Sequence, residues 1–308
     1  MSISSVTPKD IESIYCEPVS ERLAKRINDF NLQYEEITTK ERDNHILEVV
    51  RALQKPDLKE AGEHRIVDWE RGWGENLEAL LKTGAIDSVV PLYFGKHLLV
   101  RWMRRWVKPL TKDFDYKILC VLVEHVMEKY MTDKKAIYEF GCGPGYHLLR
   151  ARKINTKAKL VGLDWTSASQ HILNGVSERG LDPDIQGRHF DFYQPDETLD
   201  FEPDSVIYSV AALEQVGDRH EIFIDFLLRK KPSLCVHFEP IDEIMEPDDL
   251  MDQLSVAYCR KRNYLKAFLP KLEELEKQGL LKIHRKQRLF SGSFFLEGHT
   301  LIVWSPLP

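Results

Sequence analysis

Along the first part of the chain, apolar residues recur at intervals of three and four. Ile46, Leu47, Val49, Val50 and Leu53 make one such face. It is preceded by Thr38 and Glu41 in the spacing of a capping box and stopped near Pro56, which predicts a helix at about 39–54. Phe114, Ile118, Leu119, Val121, Leu122, Val126 and Tyr130 repeat in the same way between Asp113 and Met131, and Asp113 is placed to cap that helix.

From Lys134 the pattern changes to short apolar runs separated by longer stretches with helical spacing. Residues 136–140, 159–164, 204–210 and 233–238 read as buried strands, and the segments between them are long enough for helical crossovers, so the sheet is expected to be parallel. After a helix over Leu265–Gln278, residues 281–290 and 300–304 flank Ser291-Gly292-Ser293 and Glu297-Gly298 and predict a closing antiparallel hairpin. The chain divides accordingly into a mainly helical region over 1–131 and an α/β region over 132–308, with no internal repeat.

Composition narrows the class. A chain of 308 residues, 43% hydrophobic and 30% charged, has enough apolar surface for a large core. Its 43 Lys+Arg against 49 Asp+Glu, a net charge of −6, give no electrostatic reason to expect nucleic acid or anionic lipid as partner. The five cysteines form no CxxC pair, which argues against structural zinc and a disulfide framework and fits a reducing cytoplasm. The N-terminus lacks the apolar core of a signal peptide and no run of 18 apolar residues occurs, so a soluble, unprocessed chain is expected.

The chemistry begins where the first of these strands ends. Glu139-Phe-Gly141-Cys142-Gly143-Pro-Gly145 follows a strand and precedes a helix, so three residues without Cβ stand where the backbone must turn sharply and let a ligand approach. A dinucleotide fingerprint would require glycine at position 146, which is Tyr, and that weakens an NAD reading. Asp164 ends the next strand, 23 residues after Gly141; a doubly wound sheet brings such a carboxylate beside the first turn, where it can accept both hydroxyls of a ribose.

Through Glu139–Gly145, Gly162-Leu-Asp164, Phe190-Asp191-Phe192 and Ser209–Gly217, residues 134–308 resemble the class I S-adenosylmethionine (SAM)-dependent methyltransferases. The resemblance implies a three-layer αβα sandwich on a mostly parallel seven-stranded sheet, its last strand antiparallel, with the N-terminal region as a helical lid. It also implies SAM as cofactor. Glu139 and the backbone of Gly141, Cys142, Gly143 and Gly145 would hold the methionine part, Asp164 the ribose and Asp191 the adenine amine, with Trp165, Phe192 and Val210 alongside. Many relatives carry His where this chain has Gln215. That departure leaves Glu214, His237 and Glu239 as titratable groups at the carboxyl edge, each also readable as a cap or support.

The N-terminal region would choose the acceptor. Trp69, Trp73 and Tyr93 suit the walls of a small-molecule site, Glu75 or Asn76 its polar anchor, and Gln215 its far side. The glycines inside Trp69–Gly74 favour a loop, while the basic run Arg101–Lys112 reads as the solvated face of an amphipathic helix. The resulting expectation is a methyltransferase acting on a small organic acceptor, O- before N-methylation, with no metal, nucleic acid or membrane partner and an open oligomeric state. The competing readings are methylation of RNA or protein, a non-catalytic SAM-binding module and a Rossmann-like oxidoreductase.

Overall fold

The computed structural model describes residues 3–308. It opens with β1 (Ile3–Ser5), α1 (Pro8–Tyr15), α2 (Glu21–Phe30), β2 (Gln33–Glu36) and α3 (Thr39–Leu53). The capping box predicted at Thr38 and Glu41 is formed: the Glu41 N–H donates to Thr38 Oγ1 at 3.2 Å and the Thr38 N–H to Glu41 Oε2 at 2.8 Å. Next come α4 (Ile66–Thr83), β3 (Val100–Trp102), β4 (Arg105–Pro109) and α5 (Phe114–Tyr130). Asp113 precedes α5 as expected, but in the left-handed region at φ 59°, and its side chain makes no capping bond.

Two segments differ from expectation. Residues 69–74 are not a loop but lie within α4, where Trp69, Trp73, Asn76 and Leu80 share one face and neither Gly72 nor Gly74 takes a positive φ. Each mid-helix glycine costs about 1 kcal/mol, which burial of that face offsets. The basic run is a β-hairpin rather than a helix: β3 and β4 pair antiparallel through a two-residue turn in which Met103 and Arg104 both take positive φ, 50° and 66°. No Asn-Gly marks the turn, so sequence reading missed it, and Trp102 and Trp106 are buried by the sheet that results. That sheet has the order β1-β2-β4-β3, with a two-residue strand near the C-terminus, Ser291–Gly292, pairing beside β3, so the N-terminal region is helical plus a second sheet.

The α/β region runs β5 (Ala136–Phe140), α6 (Tyr146–Ile154), β6 (Lys159–Asp164), α7 (Ser167–Glu178), β7 (Ile185–His189), β8 (Ser205–Val210), α8 (Glu221–Lys230), β9 (Leu234–Glu239), α9 (Leu250–Lys261), α10 (Phe268–Lys277), β10 (Leu281–Arg288), β11 (Ser291–Gly292) and β12 (Thr300–Pro306). The larger sheet has the order β10-β12-β9-β8-β5-β6-β7. Strands β5 to β9 are parallel, and β12 is antiparallel to both of its neighbours. This is the mostly parallel seven-stranded sheet with a reversed last strand. β5 and β8 are buried along their whole length, as strands covered by helices on both faces must be. β7, Ile-Gln-Gly-Arg-His, is a polar edge strand, and its sequence carries no apolar run to announce it. Among the described residues no helix is long and apolar enough to cross a membrane.

The two parts are locked together. β11 leaves the closing hairpin to pair with β3 (Ser291 opposite Trp102), Tyr15 donates its hydroxyl to the carbonyl of Leu122, and one apolar core runs from Ile11 and Ile27 through Leu122 to Val206. Glu124, 3% exposed, lies within 3.0 Å of Arg22, Arg26 and Arg150, which come from α2 and α6. Removing a buried carboxylate strands its cations, so Glu124→Ala is expected to destabilise the fold by about 3–5 kcal/mol. Chemical denaturation measures this; a loss under 1 kcal/mol, as for exposed pairs, would mean the cluster is solvent-screened.

Candidate active site

The glycine turn follows from what surrounds it. Gly141, Gly143 and Gly145 take φ of 65°, 50° and 79°. A Cβ at Gly141 would stand 2.3 Å from Ala212 Cβ, and one at Gly145 2.3 Å from Leu173 Cδ2. At Gly143 it would press on the Trp73 indole at 3.0 Å. Gly141 and Gly145 therefore let α6 start directly beneath the strand ends, while Gly143 leaves an opening that Trp73 of α4 covers.

That opening is part of a cavity at the carboxyl ends of β5, β6 and β8. Its floor is Glu139, Gly141, Cys142, Gly143 and Asp164; Trp165, Phe192 and Tyr193 stand on one side, and Trp69, Trp73 and Tyr93 close it from the N-terminal region. Asp164 is 5% exposed, its Oδ2 accepting the Gly143 N–H at 2.9 Å and its Oδ1 the Thr166 N–H and hydroxyl at 2.9 and 2.7 Å. Glu139 is buried below the turn and accepts the Tyr208 hydroxyl at 2.9 Å; burial raises its carboxyl well above the ordinary range. Glu70 fastens the cover by accepting the backbone N–H groups of Ser167 and Ala168, the first turn of α7, at 2.8 and 3.0 Å.

Of the remaining residues expected here, Val210 and Gln215 line the cavity, and Gln215 Oε1 is buried without a partner. Gly145 packs behind the floor. Asp191 is not on the wall: its Oδ1 accepts the Tyr193 N–H at 2.8 Å and shapes the turn that presents Phe192 and Tyr193. Glu75 is exposed on the outer side of α4, and Asn76 donates to the carbonyls of Ser88 and Val90 at 2.7 and 2.9 Å, so neither anchors a ligand here. Sequence reading missed Tyr146 and His147, which lie on the wall just past the turn. His147 is 1% exposed, neither ring nitrogen has a partner, and burial draws its pKa well down.

The three titratable groups expected to act in catalysis sit outside this wall. His237 is buried against Phe268 and Trp304, with Nδ1 2.9 Å from Ser209 Oγ; burial pulls its pKa to about 3. Its alternation with Phe238 along β9 turns it away from the cavity. Glu239 accepts the N–H groups of Ala212, Leu213 and Glu214 and the Ser209 hydroxyl at 2.7–3.2 Å, so it holds the segment after β8 in place. Glu214 accepts from Gln215 Nε2 at 2.9 Å, and burial, aided by the nearby Glu239, pushes its carboxyl up to about 8. None of the three borders either cavity.

Glu214 leaves a signature in stability. Its carboxyl keeps its proton in the folded state up to about pH 8, whereas the unfolded group loses it near 4.5. Across that interval the folded state binds more protons, so this group lowers stability as pH rises. The buried histidines act the other way, because their unfolded forms are still half protonated near pH 6.5 while burial keeps the folded ones neutral, so the Glu214 effect is read against a variant that leaves the histidines unchanged. Between about pH 5.5 and 8, the melting temperature of the wild-type chain is therefore expected to fall relative to that of Glu214→Gln as pH rises. An unchanged slope in that variant would show that Glu214 ionises normally.

No family model and no curated protein matches the sequence. Solved structures do share features of the chain. It is similar to "PigF with SAH" at 15% identity over 92% of this chain and 72% of that one, TM-score 0.47. It is similar to geranyl diphosphate C-methyltransferase from Streptomyces coelicolor A3(2) at 12% identity, over 75% of this chain and 98% of that one, TM-score 0.45. An O-methyltransferase from neocarzinostatin biosynthesis aligns at 14% identity over 78% and 69%, TM-score 0.42. The sheet order, with its reversed last strand, and the glycine turn at its centre give this chain the fold of the class I SAM-dependent methyltransferases.

Proposed function

We propose that the protein is a SAM-dependent methyltransferase for a small organic acceptor, with oxygen preferred over nitrogen as the methylated atom. One observation carries this reading: the cavity over the glycine turn shares Tyr93, Tyr146 and Ala211 with a second cavity of about 290 Å³ that lies between the sheet and the N-terminal region. One chamber suits a cofactor and the adjoining one an acceptor.

The first chamber, about 80 Å³ with Trp69 and Trp73 closed over it, carries the polar and aromatic groups that such a cofactor calls for. Gly143 provides backbone close to the ligand, Asp164 a carboxylate for a ribose, Trp165 and Phe192 faces for a base, and Glu139 with the unpartnered nitrogens of His147 polar groups for an amino acid end. When bound, SAM supplies a methyl group already activated on a sulfonium. What remains for the chain is to place the acceptor atom in line and keep water out. Trp69 and Trp73, their rings stacked at 5.4 Å, cover one chamber, and Tyr93 and Tyr146 form the partition to the other. For a hydroxyl acceptor the bases on the second wall are His97, Asp115 and His299. Burial keeps His299 neutral by pulling its pKa to about 4, and its Nδ1 lies 2.8 Å from Ser291 Oγ.

Calorimetry should show binding of S-adenosylhomocysteine and none of NAD at equal concentration; tighter binding of NAD would end the reading. Asp164→Ala is expected to weaken S-adenosylhomocysteine by about 1.5–3 kcal/mol, the worth of hydrogen bonds to a charged acceptor. Trp73 lies against Gly143, on the cofactor side of the partition, so Trp73→Ala is expected to weaken cofactor binding as well as turnover. Intact cofactor affinity with lost turnover would place the indole in the acceptor chamber instead.

A further inference from the structure

The second cavity contains a buried charge that nothing neutralises at close range. Arg101, in the middle of β3, is 2% exposed and lines this cavity. Its Nε and Nη2 have no hydrogen-bond partner, and among the described residues no carboxylate oxygen comes within 4.0 Å of the guanidinium. Its firm neighbour is the Trp106 ring, 4.3 Å from the guanidinium carbon to the centroid. Asp252 and Glu297 are the nearest acids in the electrostatic balance, yet Arg288 already holds both, at 2.6–2.7 Å. Asp115, also on the cavity wall, accepts the N–H groups of Gly95 and Tyr116. A buried cation left unpaired costs several kcal/mol. Here burial is deep enough to pull the guanidinium down to about pKa 10.

Resting on the reading of this cavity as the acceptor chamber, we propose that the acceptor is a carboxylic acid whose carboxylate pairs with the Arg101 guanidinium where that side chain borders the cavity, its apolar body lying among Phe94, Phe114, Ile118, Leu119 and Tyr146. Nε and Nη2 are themselves covered by protein, so an acid would meet the guanidinium from its cavity side, where a planar delocalised cation suits a carboxylate. β3 and β4 set the plane of that group: Arg101 stands opposite Trp106 in the register, and Trp106 is itself fixed by donating Nε1–H to the carbonyl of Phe294 at 2.8 Å. Stacked on the indole, the guanidinium keeps a fixed plane and lacks only its anion. The apolar walls and the 290 Å³ fit an aryl or arylalkyl acid of one or two rings.

The test is binding, measured with and without saturating S-adenosylhomocysteine, of salicylate, cinnamate and indoleacetate, each beside its carboxamide. The wild-type chain is expected to bind at least one acid about tenfold or more tighter than its amide, as a charge-assisted pair requires. Arg101→Gln should reduce that preference to within about threefold while affinity for S-adenosylhomocysteine holds, and Arg101→Lys, which keeps the charge and loses the planar group, should fall between. Amides that bind as well as acids, no binding by any of the acids, or a preference that survives Arg101→Gln would each overturn the proposal. So would a large fall in melting temperature of Arg101→Gln with the preference intact, because the arginine would then serve the Asp252–Glu297 cluster. If S-adenosylhomocysteine fails to bind but acids bind in an Arg101-dependent way, the acid site stands and the methyltransferase reading falls.

Discussion

The whole arrangement depends on one steric constraint, the tight closure of the turn between β5 and α6. With Cβ atoms at Gly141 and Gly145, that turn would collide with Ala212 on one side and Leu173 on the other. Gly162 in β6 faces the same demand, since a Cβ there would lie 2.2 Å from Leu173 Cδ1 and 2.8 Å from Cys142 Sγ. With none present, α6 and α7 sit close on the sheet, and the ends of β5, β6 and β8 come together around one opening. Asp164 reaches back to the Gly143 N–H only because the two strand ends lie side by side in parallel register. The electrostatics of the site follow from that proximity, since two carboxyl groups, Glu139 and Asp164, are buried under a turn that exposes backbone donors.

The cover over this opening is held by polar bonds and by strand pairing. Glu70 caps α7 from α4, and β11 carries two residues of the closing hairpin across to the second sheet. The lid therefore shares hydrogen bonds with the sheet it covers, and Trp73 is fixed over Gly143 by the helix that Glu70 ties down. Such coupling makes the aromatic cover a built wall of the cofactor chamber, and the same second sheet carries Arg101 to the wall of its neighbour.

Buried polar groups differ in whether the protein itself meets them. Glu124, Asp252 and Glu239 have each of their demands met by donors, and each joins elements distant in sequence. Arg101, His147 and the carbonyl oxygen of the Gln215 side chain are buried and unmet, and all three line the two adjoining cavities. Other buried polar atoms are unmet within the packed interior, His237 Nε2, Ser205 Oγ and Trp304 Nε1 among them, but these three line cavities in which a ligand can complete them.

Much of the architecture was legible because strong local patterns agree with it: the capping box ahead of α3, the short, mostly apolar runs of β5, β6, β8 and β9, and the glycines spaced around Cys142. These are short-range requirements, met by residues within a few positions of each other. What the local pattern left undecided is what depends on partners distant in sequence. The Gly72 and Gly74 positions became helix because α4 could bury one face against α7, and Arg101–Pro109 became a hairpin because β2 and β11 stood ready on either side of it. The edge strand β7 lacked an apolar run because one face meets water. His237 and Glu239 were visible as titratable residues at a strand end, but which way each side chain points is set by β9's register with β8 and β12. The sequence by itself determined the sheet and its glycine turn; only tertiary packing decided which charges would be buried with partners and which would be left facing a cavity, because a charge is compensated by neighbours that the chain brings from far away.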